Sequence, residues 1–189
     1  MSASRSTERV TGPPRSGRTT ALATIAQAAA SIGIPLFHVH VRHSALANAP
    51  FWGKVAHGPA DGAELVTKLT EVVGRLGRRT LVIVDDLADL ADTEADTALT
   101  ELLRVAREHP LTVIGAVDNT AARRQYSGTI PEMRKDGIGL LLQPDTDSDG
   151  DLVGVTLPRR TRGAWPEGRG YLAARGTAEL VHVALPDPW

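Results

Sequence analysis

Residues 12–19 read Gly12-Pro13-Pro14-Arg15-Ser16-Gly17-Arg18-Thr19. Glycine, four residues, glycine, a cation and a hydroxyl residue is the spacing of a phosphate-binding loop, with Arg18 where lysine is usual. Such a loop needs glycine because its backbone must curl tightly enough to aim successive N–H groups at one anion. A helix opening directly behind it adds the partial positive charge of its N-terminus. Apolar residues Leu22, Ile25, Ala26, Ala29 and Ile32 follow at helical spacing, and Gly33 offers a left-handed stop.

Outward from this loop the chain alternates. Leu36 to Arg42 is expected to be a strand, and Asn48 to Pro59 a loop. A second helix is expected from about Asp61, acting as cap with Glu64 three residues on, to Gly77. Thr80 to Val84 is a continuous apolar run ending in Asp85-Asp86, the pattern of a strand buried on both faces. A third helix carries Leu99, Leu102, Leu103 and Ala106 and stops at His109-Pro110. Leu111 to Val117 predicts another buried strand and Gly139 to Leu142 one more, after a broken helical stretch. This alternation argues for an α/β fold, a mostly parallel sheet flanked by helices. Beyond Asp151 the rhythm changes to short β-like pieces at 152–157, 171–174 and 179–185, expected as extra C-terminal edge strands of the same domain. Residues 1–189 are therefore expected to form a single P-loop NTPase domain. Its first strand is weak, because 6–11 offers only Val10 as an apolar residue; a very short strand or truncation of the domain at that strand would each explain this.

The site chemistry follows from the loop. Gly12, Pro13, Pro14, Arg15, Ser16, Gly17, Arg18, Thr19 and Thr20 are expected to surround the β- and γ-phosphates of ATP. Arg18 supplies charge, and Thr19 with Asp85 holds Mg²⁺. Asp86 is expected to orient or deprotonate the attacking water. A planar arginine fork differs from a compact ammonium, so binding can survive while transition-state geometry suffers. Asp118-Asn119 ends the next buried strand, where a polar sensor of the γ-phosphate belongs, or where a plain turn would serve.

Read in order, these pieces resemble the carboxy-terminal ATPase module of FtsK/SpoIIIE-type motor proteins, including the EccC-like members of actinobacterial type VII secretion. The resemblance rests on Gly12 to Leu22, Leu81-Val-Ile-Val-Asp-Asp86, Gly137-Ile-Gly-Leu-Leu-Leu-Gln-Pro144, Asp149-Gly-Asp-Leu-Val-Gly154, Leu157-Pro-Arg-Arg160 and Gly168-Arg-Gly-Tyr171. It implies a RecA-like core acting beside sister ATPase modules in a ring or tandem array. It also implies a cytoplasmic setting at the inner face of a membrane, through a larger assembly that moves DNA or secreted polypeptide. Arg18 and Asp86 are the degeneracies of trailing modules, which hydrolyse ATP weakly or serve as non-catalytic docking domains for a protein partner.

Bulk properties bound these readings. A net charge of −1 signals no global attraction to nucleic acid, and the lack of cysteine excludes disulfides and thiolate metal sites. No apolar run is long enough to cross a bilayer, so no direct membrane insertion is expected. Arg159, Arg160, Arg162 and Arg169 form a dense cationic cluster suited to DNA phosphates, to a neighbour's ATP site or to surface ion pairs. Asp145-Thr-Asp-Ser-Asp-Gly150 copies half of a calcium loop but places Thr156 where a glutamate belongs, and a hairpin turn is expected instead. His38, His40 and His43 could gather a metal, since alternate strand residues share a face, though no carboxylate lies near them in sequence. Trp165 is expected to cover a sheet edge.

Overall fold

The computed structural model describes residues 7–158 and 165–189. Its elements run β1 (Thr7–Thr11), α1 (Arg18–Ser31), β2 (Leu36–His40), β3 (Lys54–His57), α2 (Gly58–Val72), β4 (Thr80–Val84), α3 (Glu94–Ala106), β5 (Leu111–Val117), α4 (Asn119–Arg124), α5 (Thr129–Arg134), β6 (Gly139–Leu142), β7 (Arg169–Ala174) and β8 (Thr177–His182). The eight strands form one sheet in the order β3-β2-β4-β5-β1-β6-β7-β8. The first six are parallel, while β7 and β8 join β6 as an antiparallel hairpin at the edge. The mostly parallel α/β architecture with added C-terminal strands is thus what the chain adopts.

Two apolar layers cover the sheet. On one face α1 packs Leu22 and Ala26 against Val10, Ile83, Ile114 and Leu142. On the other, α2, α3 and α5 bury Leu65, Leu69, Leu99, Leu102, Ile130 and Met133 over Val82, Val84 and Val113. Parallel strands covered on both faces lose their polar alternation, which is why all five residues of β4 are buried. β1 is the exception. It sits between β5 and β6 in the interior of the sheet yet buries Thr7, Arg9 and Thr11.

Several expectations are corrected. β2 ends at His40, two residues early, and the segment expected as loop contains β3, a four-residue edge strand paired to β2. α2 begins at Gly58 with Pro59 in its first positions; His57 is its cap residue and Asp61 lies inside the first turn. The segment 145–150 is no hairpin turn: a 3-10 helix spans Asp147–Val153, opened by a reciprocal capping box between Thr146 and Asp149. Val153, Val155 and Leu157 are buried as a strand's alternating residues would be, but they pack without strand pairing against Leu141, Tyr171 and Ala173, while Leu152 joins the layer over the opposite face. The C-terminal residues then leave β8 and run along α1, where Thr24 Oγ1 donates to Ala184 O (2.6 Å) and Gln27 exchanges two hydrogen bonds with Asp187. Trp189 ends edge-on to Phe51, with ring centroids 5.8 Å apart.

Candidate functional site

Three strands deliver the candidate residues to one edge of the sheet. The loop leaves the C-terminal end of β1, Asp85-Asp86 follows β4, and Asp118 follows β5. Carboxyl ends of parallel strands are where open α/β sheets place ligands.

The loop conformation depends on its glycines. Gly17 caps α1 at φ 95°, in the left-handed region. A Cβ at Gly12 would stand 2.4 Å from Ser16 Oγ, so only glycine lets the curl close. Pro13 and Pro14 carry no amide hydrogen, so N–H donors toward an anion begin at Arg15, later than the expected span. The first turn of α1 holds no acidic residue that would compete with an anion. Arg15, Gly17, Arg18, Thr19 and Thr20 line a cavity of about 190 Å³, closed on one side by Glu167. Gly168 N donates to Ser16 O at 3.0 Å, fastening the loop to the start of β7.

Thr19 Oγ1 donates to Asp85 Oδ2 at 2.9 Å across 66 positions of sequence. Asp85 Oδ1 accepts from the Asp86 amide at 3.0 Å, so this carboxylate is fixed from both sides. A hydroxyl and a carboxylate at this spacing are oxygen donors suited to Mg²⁺. Asp86 adopts φ 53°, in the left-handed region. Burial first, and then repulsion from Asp85, hold the Asp86 carboxyl above the ordinary aspartate range, while Arg42 and Arg18 oppose the rise. A raised carboxyl is a better proton acceptor.

Arg18 is turned inward. Its Nη1 donates to Gly12 O at 2.5 Å, and its fork lies 3.5 Å from Asp118 and 3.9 Å from Asp86. Asp118 caps α4 through Thr120 N and Ala121 N, the turn role expected of it, and also faces Arg18. Asn119 is the first residue of α4 beside it.

Sequence reasoning missed two charges. Arg42, just past β2, forks onto Asp89 at 2.6 and 3.0 Å and reaches within 3.9 Å of Asp86. Its partner belongs to a different crossover, and no local pattern announces the pair. Glu167 stands in the Pro-x-Gly segment before β7, adjacent to the quoted Gly168-Arg169-Gly170, and only the fold brings it to the loop. Of the arginine cluster, Arg159, Arg160 and Arg162 lie outside the described residues. Arg169 is on β7, partly exposed, with no side-chain ion pair among the described residues. His38 Nδ1 bonds Ile83 O and His40 Nδ1 bonds Arg42 O, the two rings stack, and no cluster able to hold a metal occurs among the described residues. Asp149, the calcium-loop residue, instead accepts from Arg123 and from two backbone amides. Trp165 packs beside the interior strands β6 and β7 where a sheet edge was expected, its indole N–H bonded to Pro144 O and its ring edge-on to Tyr171.

No family model matches the sequence, and no curated protein matches it. Solved structures do. ATPases 2 and 3 of EssC from Geobacillus thermodenitrificans superpose with a TM-score of 0.75 at 13% identity, over 96% of this chain and 37% of that one. The pCW3 conjugation coupling protein TcpA, solved with ATPγS, gives 0.74 at 12% identity over 98% and 62% of the two chains. The genome-packaging NTPase B204 of Sulfolobus turreted icosahedral virus 2, in complex with sulfate, gives 0.66 at 12% identity over 96% and 98%. The fold is that of the FtsK/SpoIIIE-type P-loop ATPases. This chain spans less than two thirds of EssC and TcpA. Among the described residues, no helix of this FtsK/SpoIIIE-type fold is long and apolar enough to cross a membrane.

Proposed function

We propose that this chain is an ATP-binding module of an FtsK/SpoIIIE-type translocase or secretion ATPase, one that binds nucleotide and hydrolyses it weakly. The observation that carries the reading is the union of the Gly12–Thr19 loop with the Thr19–Asp85 pair at the carboxyl end of the sheet. Amides from Arg15 onward and the N-terminus of α1 would receive the phosphates, and Thr19 with Asp85 would hold Mg²⁺, which neutralises phosphate charge when bound. Asp86 stands as the proton acceptor. Relatives of this fold include a conjugation protein and a genome-packaging NTPase, which supports placing the module in a machine that moves DNA or polypeptide beside sister ATPase modules.

Arg18 favours a second reading. Its fork is clasped by Gly12 O, Asp86 and Asp118, so an incoming γ-phosphate must compete with two carboxylates for the same cation. A domain with this clasp permanently closed would act as a non-catalytic docking module for a protein partner. Thermal melts with Mg-ATP and Mg-ADP separate the two. A ligand at a hundredfold excess over its dissociation constant adds about 2.7 kcal/mol of stability, which a melt resolves readily. Nucleotide binding predicts an upward shift that Thr19→Ala reduces; no shift at millimolar nucleotide in a folded sample leaves the docking reading.

A further inference from the structure

Beside the phosphate cavity lies a second one of about 250 Å³, walled by Gly17, Thr20, Glu167, His182, Val183 and Leu185. The two share Gly17, Thr20 and Glu167, so they form one continuous trough along the start of α1. The wall between them is rigid. Gly168 N donates to Ser16 O, Val183 N donates to Gly168 O at 2.9 Å, and the His182 ring bonds Glu167 O at 3.0 Å through Nε2. A carbonyl only accepts, so that nitrogen carries the proton. On the far side the wall is apolar and bare: Leu185 is 83% exposed, in a position where a flat ring would cover it.

Glu167 is the anomaly in this trough. Its carboxylate has neither ion pair nor hydrogen bond among the described residues, and it stands next to a seat for phosphates, which it would repel. An acceptor-only group in that place is satisfied by a neutral, donor-rich fragment lying between the phosphates and an apolar ring. Vicinal ribose hydroxyls are such a fragment, and an acidic side chain on the ribose hydroxyl is the recurring solution in dinucleotide-binding folds.

We propose that Glu167 accepts hydrogen bonds from the ribose hydroxyls of a bound ribonucleoside triphosphate, while Val183 and Leu185 carry its base. The inference rests on the nucleotide-binding reading above and adds to it a selectivity for ribose over deoxyribose. Titration calorimetry of this chain with Mg-ATP, Mg-2′-deoxy-ATP and Mg-3′-deoxy-ATP tests it. A hydrogen bond to a charged group sets the expected loss at roughly tenfold to a hundredfold for at least one deoxy analogue. Glu167→Ala is expected to bind ATP and that analogue alike. Glu167→Gln, which keeps an acceptor but no charge, falls between them. Equal binding of all three nucleotides to the native chain leaves nucleotide binding standing and removes Glu167 from ribose recognition. So does a preference that survives in Glu167→Ala, or a uniform gain for every nucleotide in that variant, which marks the carboxylate as a mere repulsive rim. Failure of all nucleotides to bind overturns both readings together.

Discussion

Arg9→Met is expected to stabilise the protein. Arg9 lies on β1 in the sheet interior, is 2% exposed, and has no hydrogen-bond acceptor for any of its three side-chain nitrogens among the described residues. Its Cα partners on both neighbouring strands are glycines, Gly115 and Gly139. Burial, reinforced by repulsion from Arg134 and only partly offset by Asp136, lowers its pKa to about 10. Relative to an ordinary arginine, at about 1.4 kcal/mol for each tenfold change, the folded state bears a penalty of about 3 kcal/mol for keeping this cation charged. Methionine matches the length of the arginine stem and has no charge to desolvate. Replacement of buried ions by apolar residues of similar volume gains about 1–4 kcal/mol in favourable cases. For a domain of this size that corresponds to a rise in Tm of roughly 2–16 °C. The pH dependence gives an independent check. A cation whose pKa is lowered by folding destabilises the native state at every pH below that pKa, and the penalty fades as pH rises through it. The gap between the native chain and Arg9→Met should therefore stay constant up to about pH 9 and begin to close only as pH rises through 10, in denaturant melts that remain reversible. A variant that melts lower than the native chain, by more than about 1 kcal/mol, would mean that the guanidinium has a strong acceptor and that the reasoning is wrong.

Two further outcomes are expected. His38, buried and held by desolvation at a pKa of about 4, must fold neutral; the unfolded histidine, at roughly 6.5, binds its proton earlier. Stability should then fall as pH drops from about 6.5 toward 4, by about 3 kcal/mol. His38→Phe, which keeps a ring against Trp52, should flatten that acid limb in urea melts at pH 7 and 4.5; parallel limbs in the two proteins would exclude His38 as the cause. Steady-state phosphate release by the native chain should lie far below the roughly 1–1,000 per second typical of enzymes, and Arg18→Lys with Asp86→Glu should raise it. A native chain already in that range would refute the clasp as a brake.

The legible parts of this molecule were those encoded locally. The glycine spacing at 12–17, the five-residue apolar run before Asp85 and the helical spacing of Leu22 to Ala29 each fix a backbone over a few residues, and each is where it was expected. β3 was not legible because it is an edge strand with Lys54 and His57 exposed, so its burial leaves almost no pattern. The segment around Leu152 misled for the opposite reason. It alternates like a strand, but the Thr146–Asp149 capping box turns the backbone helical first. At the site, Thr19 and Asp85 could be paired from motif order, whereas Arg42 and Asp89 come from separate crossovers and Glu167 from the segment before β7, so only the fold brings them to the site.

The hydrogen bond from Gly168 N to Ser16 O has a consequence for biogenesis. The loop that would receive phosphates leaves the ribosome some 150 positions before the residues that make its outer wall. β1 likewise waits for β5 and β6 before either of its edges is paired. A nascent chain halted before Gly168 therefore carries the whole phosphate-loop sequence without the wall that shapes it, and ligand competence arrives only as the last hairpin docks. Because such long-range closure is slow, newly made molecules should pass through an interval in which the loop is synthesised but blind to nucleotide.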